Sequence, residues 1–168
     1  MDGENTTLYR DFVHARSLVY EPHPSRNWMK VLQGKIGHEI PEGWRICGEN
    51  LTAVHSIEYA DLPDYFMLFS VWDERNNCMS WEETRTWADL LDLNMVPVLY
   101  QGTFDRDVIQ KLFVPHANKH EGYVVRLAGQ FPYSEFRRSV GKYVRKGHVH
   151  THGHWMREQV RYNKLKET

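Results

Sequence analysis

Two short stretches join strand-forming residues to charge in a way that suits a metal ion and a phosphate chain. Glu121-Gly-Tyr-Val-Val-Arg126 sets a carboxylate at the head of a β-branched and aromatic run. Lys142-Tyr-Val-Arg145-Lys146 sets cations along a second such run. Side by side as strands, they would offer Glu121 to a divalent cation and Lys142 with its neighbours to an anionic phosphate. Taken alone, the same residues fit an ordinary strand pair with solvated charges at its ends. Further fragments precede them along the chain: Asp2-Gly3-Glu4-Asn5, Arg16, Gly48-Glu49 and Phe66-x-x-Phe69. Each fragment is weak, and their order is much more specific.

Thr7–Tyr9 and Phe12–Val13 predict a hairpin. Ser25 is a plausible N-cap for a helix that buries Trp28, Val31, Leu32 and Ile36, which recur at helical spacing. Pro41-Glu-Gly43 marks a turn, and Trp44–Cys47, Leu51–Ile57 and Tyr65–Trp72 predict strands. Ser80-Trp-Glu-Glu83 has the pattern of a capping box, opening a helix whose Trp81, Trp87, Leu90 and Leu91 are expected in the core. Met95–Tyr100 predicts another strand, and Asp105 caps a short helix carrying Val108, Ile109 and Leu112. Tyr123–Leu127 and Val140–Val144 form the closing strand pair, joined by a segment around Ser134–Arg138. Many strands with interspersed helices and no regular βαβ rhythm predict an α+β fold with a largely antiparallel sheet.

At 168 residues, with 41% apolar and 26% charged residues, the chain is expected to be one domain, 1–168, with a sizeable core. Cys47 and Cys78 are too few for a disulfide framework, which makes a reducing cytoplasm the expected location. The sequence shows neither a leader nor an apolar run of about 20 residues, so no membrane partner is expected. The net charge of −1 conceals an asymmetry. Residues 122–168 hold ten Lys and Arg against three acids, which leaves −8 for residues 1–121. A basic carboxyl-terminal region suits contact with a polyanion, although a solvated basic tail has the same composition.

In that order the fragments resemble the covalent nucleotidyltransferases, and within them the ATP-dependent RNA ligases of the Rnl2-like branch, over nearly the whole chain. Gly48-Glu49-Asn-Leu is similar to the family's third motif, whose glutamate binds the nucleotide ribose. Phe66-Met-Leu-Phe69-Ser-Val-Trp-Asp is similar to the next, whose aromatic stacks on adenine. The resemblance favours Phe69 for that role, with Phe66 as the alternative. Glu121-Gly-Tyr-Val-Val-Arg matches the fourth motif, whose glutamate serves the metal and the chemistry, and Lys142-Tyr-Val-Arg-Lys matches the fifth, with phosphate-binding lysines. Arg16 stands where the family places an arginine that reaches phosphate. The resemblance implies a nucleotidyltransferase (ATP-grasp-like) fold with a nucleotide cleft between antiparallel sheets. It also implies ATP and Mg2+ (or Mn2+) as cofactors, RNA as partner, and a monomer.

Two departures stand out. Val144 occupies the second lysine position of the fifth motif, where Arg145 or Lys146 would have to substitute, and guanidinium and ammonium are not interchangeable. The first motif usually reads Lys-x-Asp-Gly, and Asp2-Gly3-Glu4-Asn5 matches its end, so the nucleophilic lysine falls just before Met1. In the family that amine attacks the α-phosphate of ATP and releases pyrophosphate. The AMP then passes to an RNA 5′-phosphate, and a 3′-hydroxyl displaces it. A positioned nucleophile is worth roughly 7–11 kcal/mol of barrier, and no other lysine here follows the Asp-Gly pattern. The expectation is therefore a domain truncated at the N-terminus, with self-adenylylation impaired. Nucleotide binding would persist, through Asp2, Gly3, Asn5, Arg16, Glu49, Phe69 or Phe66, Glu121, Lys142, Arg145 and Lys146. RNA would lie along Arg137, Arg138, Lys146, Arg157 and Arg161.

Two other readings compete. One is a non-catalytic nucleotide- or RNA-binding remnant of the same fold. The other is a metal-binding protein built on His148, His150, His152 and His154, whose alternation puts four imidazoles on one face of a strand. No Cys or carboxylate lies within that run and its glycines loosen it. An incidental surface cluster, able to assist RNA binding once protonated below about pH 6.5, is the preferred view of it.

Overall fold

The computed structural model describes residues 1–16, 23–113, 120–145 and 160–167. The histidine run, Lys146 and Arg157 lie outside the described residues. The predicted hairpin forms from β1 (Glu4–Leu8) and β2 (Val13–Ala15). After a single 3-10 turn comes α1 (Asn27–Ile36). Ser25 does not cap that helix, because it is buried inside the turn with its amide donating to His23 Nδ1. The buried face is Met29, Leu32 and Ile36, while Val31 is 72% exposed. Two residues on from Met29 is about 200° around the helix, which puts Val31 on the solvent side.

Next come β3 (Arg45–Asn50) and β4 (Phe66–Trp72), antiparallel neighbours at the centre of the sheet. Leu51–Ile57 is not the strand its composition predicts. The buried Asn50 amide oxygen accepts from the backbone N–H and the hydroxyl of Thr52, at 3.0 and 2.7 Å, and turns the chain away. Beyond a short β5 (Asn77–Cys78), α2 (Trp81–Leu90) opens with the predicted capping box. Its buried residues are Thr84 and Ala88; Trp81 and Trp87 are half-buried and Leu90 is exposed. Of the residues expected in the core, Leu91 is buried in the main cluster and Trp87 packs against it.

Of the predicted strand Met95–Tyr100, Asn94–Met95 forms β6, parallel to β4. Val98, Leu99 and Tyr100 are exposed, since a β-prone run makes no strand without a partner edge. Asp105 caps α3 (Arg106–Leu112) as expected. Then β7 (Gly122–Arg126), β8 (Phe131–Pro132), α4 (Phe136–Ser139) and β9 (Val140–Val144) complete the described elements.

The strands make two sheets. The larger is seven-stranded in the order β2-β1-β3-β4-β5-β8 with β6 beside β4, and the smaller is the antiparallel ribbon β7-β9. The fold is thus mixed, with largely antiparallel sheets. One face of the large sheet buries Leu8, Ile46, Phe66, Leu68 and Val71 against α1. Each fully buried side chain of this size contributes about 1.5–3 kcal/mol. The opposite face carries smaller apolar clusters and is the one on which polar residues collect.

Candidate nucleotide site

Register brings the amino-terminal motif and the Gly-Glu motif together. Asn5 on β1 pairs with Glu49 on β3, and Arg16 donates its backbone N–H to the Asn5 carbonyl at 2.8 Å. Directly opposed residues share a face. Arg16, Asn5 and Glu49 therefore form one row across three strands, with Arg16 and Asn5 exposed. Gly3 donates its N–H to Glu49 Oε1 at 3.0 Å. Burial pushes the Glu49 carboxyl up to about 7, against the downward pull of the Gly3 N–H and the more distant Lys142 ammonium. Lys142 acts on Glu49 from the ribbon, where it is exposed opposite Val124.

The two phenylalanines separate. Phe66 is fully buried among the residues packed under α1, with no ring face open to a base. Its ring fills the space at Gly48, where an added Cβ would come within 2.4 Å of it. Phe66 is therefore a core residue, not an adenine platform. Phe69 lies at a β-bulge: Cys47 pairs with Ser70 but Gly48 pairs with Leu68, so β4 carries one extra residue between them. A bulge re-aims a side chain. Phe69 is half-buried on the opposite face from Phe66, against the Cys47, Trp72, Cys78 and Phe131 cluster and Val140.

Asp2 and Glu121 converge on a residue the sequence reading passed over. Asp2 Oδ2 accepts from the Ser56 N–H (2.7 Å) and the Ile57 N–H (3.0 Å), and the Ser56 hydroxyl oxygen lies 2.7 Å from it. The same hydroxyl oxygen is 2.5 Å from Glu121 Oε1. A serine hydroxyl has one proton and so satisfies one of two carboxylates at a time. Two facing carboxylates sharing one proton form a hard-oxygen set that a divalent cation suits. Among the described residues no three His, Cys, Asp or Glu side chains could hold a metal by themselves. A bound Mg2+ would complete its shell with phosphate oxygens and water, its usual habit. Tyr59 adds a further contact, its hydroxyl accepting from the Asp2 N–H at 2.9 Å, and burial raises its pKa. Ser56 and Tyr59 went unnoticed because Leu51–Ile57 read as a strand, a pattern that hides a polar turn.

Other expected residues are placed as follows. Arg145 donates Nε to the His120 carbonyl at 3.1 Å and its backbone N–H to the Glu121 carbonyl at 2.8 Å, closing the end of the ribbon. Val144 pairs with Gly122, where an added Cβ would lie 1.9 Å from the Tyr143 carbonyl oxygen, so only glycine admits this approach. Arg161 pairs with Glu58, and Arg137 and Arg138 lie on α4. Arg126 is a third residue whose role was missed, although it ends a quoted motif. It donates Nη1 to the Phe69 carbonyl at 3.2 Å and Nη2 to the Met79 carbonyl at 2.8 Å. A separate cavity of about 670 Å3 beside Tyr9, Phe12, Gly37 and Trp44 includes none of the expected site residues.

In comparison with known proteins, residues 1–144 match the family model described as RNA ligase. No curated protein matches the chain.

Proposed function

Because the chain belongs to the RNA ligase family, we propose that its cleft binds ATP for joining an RNA 5′-phosphate to a 3′-hydroxyl through an adenylylated intermediate. The observation that carries the reading is the single row of Arg16, Asn5 and Glu49, with Asp2 and Glu121 meeting at Ser56. Glu49 exchanges hydrogen bonds with the ribose hydroxyls. Phe69 stacks on adenine, contributing about 1–3 kcal/mol by analogy with other base–aromatic contacts. Arg16 and Lys142 neutralise the phosphates from the two sides of the cleft, and Asp2 and Glu121 hold Mg2+. The metal, when bound, offsets charge on the phosphate oxygens.

The joining step needs little covalent work from the protein. The 3′-hydroxyl oxygen bonds to the activated 5′-phosphorus, the phosphoanhydride bond to AMP breaks, and the hydroxyl proton leaves to a base. Lys142 and Arg16 keep the reacting groups in line and screened, the kind of positioning on which phosphoryl transfer depends.

Equilibrium binding of ATP with Mg2+ tests the reading. The wild type is expected to bind ATP, and F69A to bind it about tenfold more weakly through the lost base stacking. Failure of the wild type to bind ATP contradicts the nucleotide reading.

A further inference from the structure

The ribbon that carries Lys142 forms its own two-stranded sheet, distinct from the seven-stranded one. Something other than a shared ladder must therefore hold the ribbon to the large sheet. At one end of the ribbon the Arg126 guanidinium donates to the Phe69 and Met79 carbonyls on the large-sheet side. At the other end the contact is Glu121 Oε1 with the Ser56 hydroxyl, at 2.5 Å. Ser56 is itself anchored, because Asp2 Oδ2 takes its backbone N–H and that of Ile57. The result is a relay from the start of β1, through Asp2 and Ser56, to the residue that opens β7.

We infer that Ser56 is a positioning residue: its hydroxyl latches the β7–β9 ribbon to the Asp2 turn and so sets Lys142 and Glu121 against the Glu49 side of the cleft. Asp2 already receives two backbone N–H donors, so the serine proton belongs to Glu121, and the short O–H···O contact is the charge-assisted kind. Ser56 is exposed and belongs to no apolar cluster. Its loss therefore loosens the ribbon without undoing the core. The consequence for ATP rests on the proposed nucleotide reading, whereas the consequence for the ribbon does not.

The test compares S56A, S56T and the wild type by hydrogen exchange of the amides of residues 122–126 and 140–145, alongside ATP affinity at fixed Mg2+. Removing one charge-assisted hydrogen bond is expected to speed exchange in the ribbon about tenfold. S56T restores the rate, since threonine keeps the hydroxyl, and the melting temperature stays within about 2 °C. ATP affinity falls in parallel for S56A. In a double-mutant cycle S56A and E121A are less than additive, because each breaks the same contact. Unchanged ribbon exchange in S56A, failure of S56T to restore it, or strict additivity with E121A overturns the inference. Absence of ATP binding in the wild type would count against the nucleotide reading alone, and exchange would still decide the case of Ser56.

Discussion

Glu49 shows how much one buried carboxylate can report. Its pKa is raised by burial to about 7, so the folded protein holds this proton well above the ordinary carboxylate range, where the unfolded chain has already released it. Between about pH 4.5 and pH 7 the native state binds more protons than the unfolded state. Stability from this group is therefore complete below pH 4.5 and is lost as pH rises through 7. The loss is on the order of 3 kcal/mol. E49Q copies the neutral form and can still accept from the Gly3 N–H. It is expected to melt with the wild type at pH 4.5 and above it at pH 8, read by thermal denaturation at the two pH values. An equal gap at both would mean that the carboxyl is not shifted. The same residue scale separates Phe66 from Phe69. Three positions apart in sequence, they look interchangeable, and burial against α1 removes one of them.

Among the elements, β4 has two tasks at once. Its buried residues fill the core, while the extra residue opposite Cys47/Gly48 turns Phe69 onto the face away from α1. The Phe69 carbonyl at that irregularity is taken by Arg126 from the ribbon. Arg126 also stacks over Trp81 and Phe131, each 5.5 Å from its guanidinium carbon. Arg126→Met keeps much of the stem packing but removes both donors. Hydrogen bonds from a charged group contribute about 1.5–3 kcal/mol each, so a fall in melting temperature of several degrees is expected, with only partial recovery in Arg126→Lys. Full recovery by lysine would show that charge, not the planar fork, makes the contact. The capping box of α2 was legible beforehand because Ser80 and Glu83 act through neighbouring backbone. The loop at Ser56 was not, because its partners are Asp2 and Glu121, 54 and 65 residues away in sequence.

For the molecule as a whole, charge separation matters more than the net value of −1. The basic residues after Glu121 include Arg137 and Arg138, both exposed on α4. Binding of single-stranded RNA through about four phosphates gives a slope of about −3 in log affinity against log salt concentration, and R137A/R138A lowers its magnitude by about 1.4. Affinity that is flat with salt would remove the polyanion surface. The family, the order of the charged motifs, the hairpin, the ribbon strands and the cap of α2 are legible in the amino-acid sequence. All of these are encoded by residues near one another or by motifs that need no partner. Tertiary structure decided which phenylalanine could face a base, that Leu51–Ile57 forms a turn, and that Ser56 and Arg126 tie the ribbon down. Those outcomes depend on which distant groups approach and which faces lose water, and neither composition nor periodicity records that.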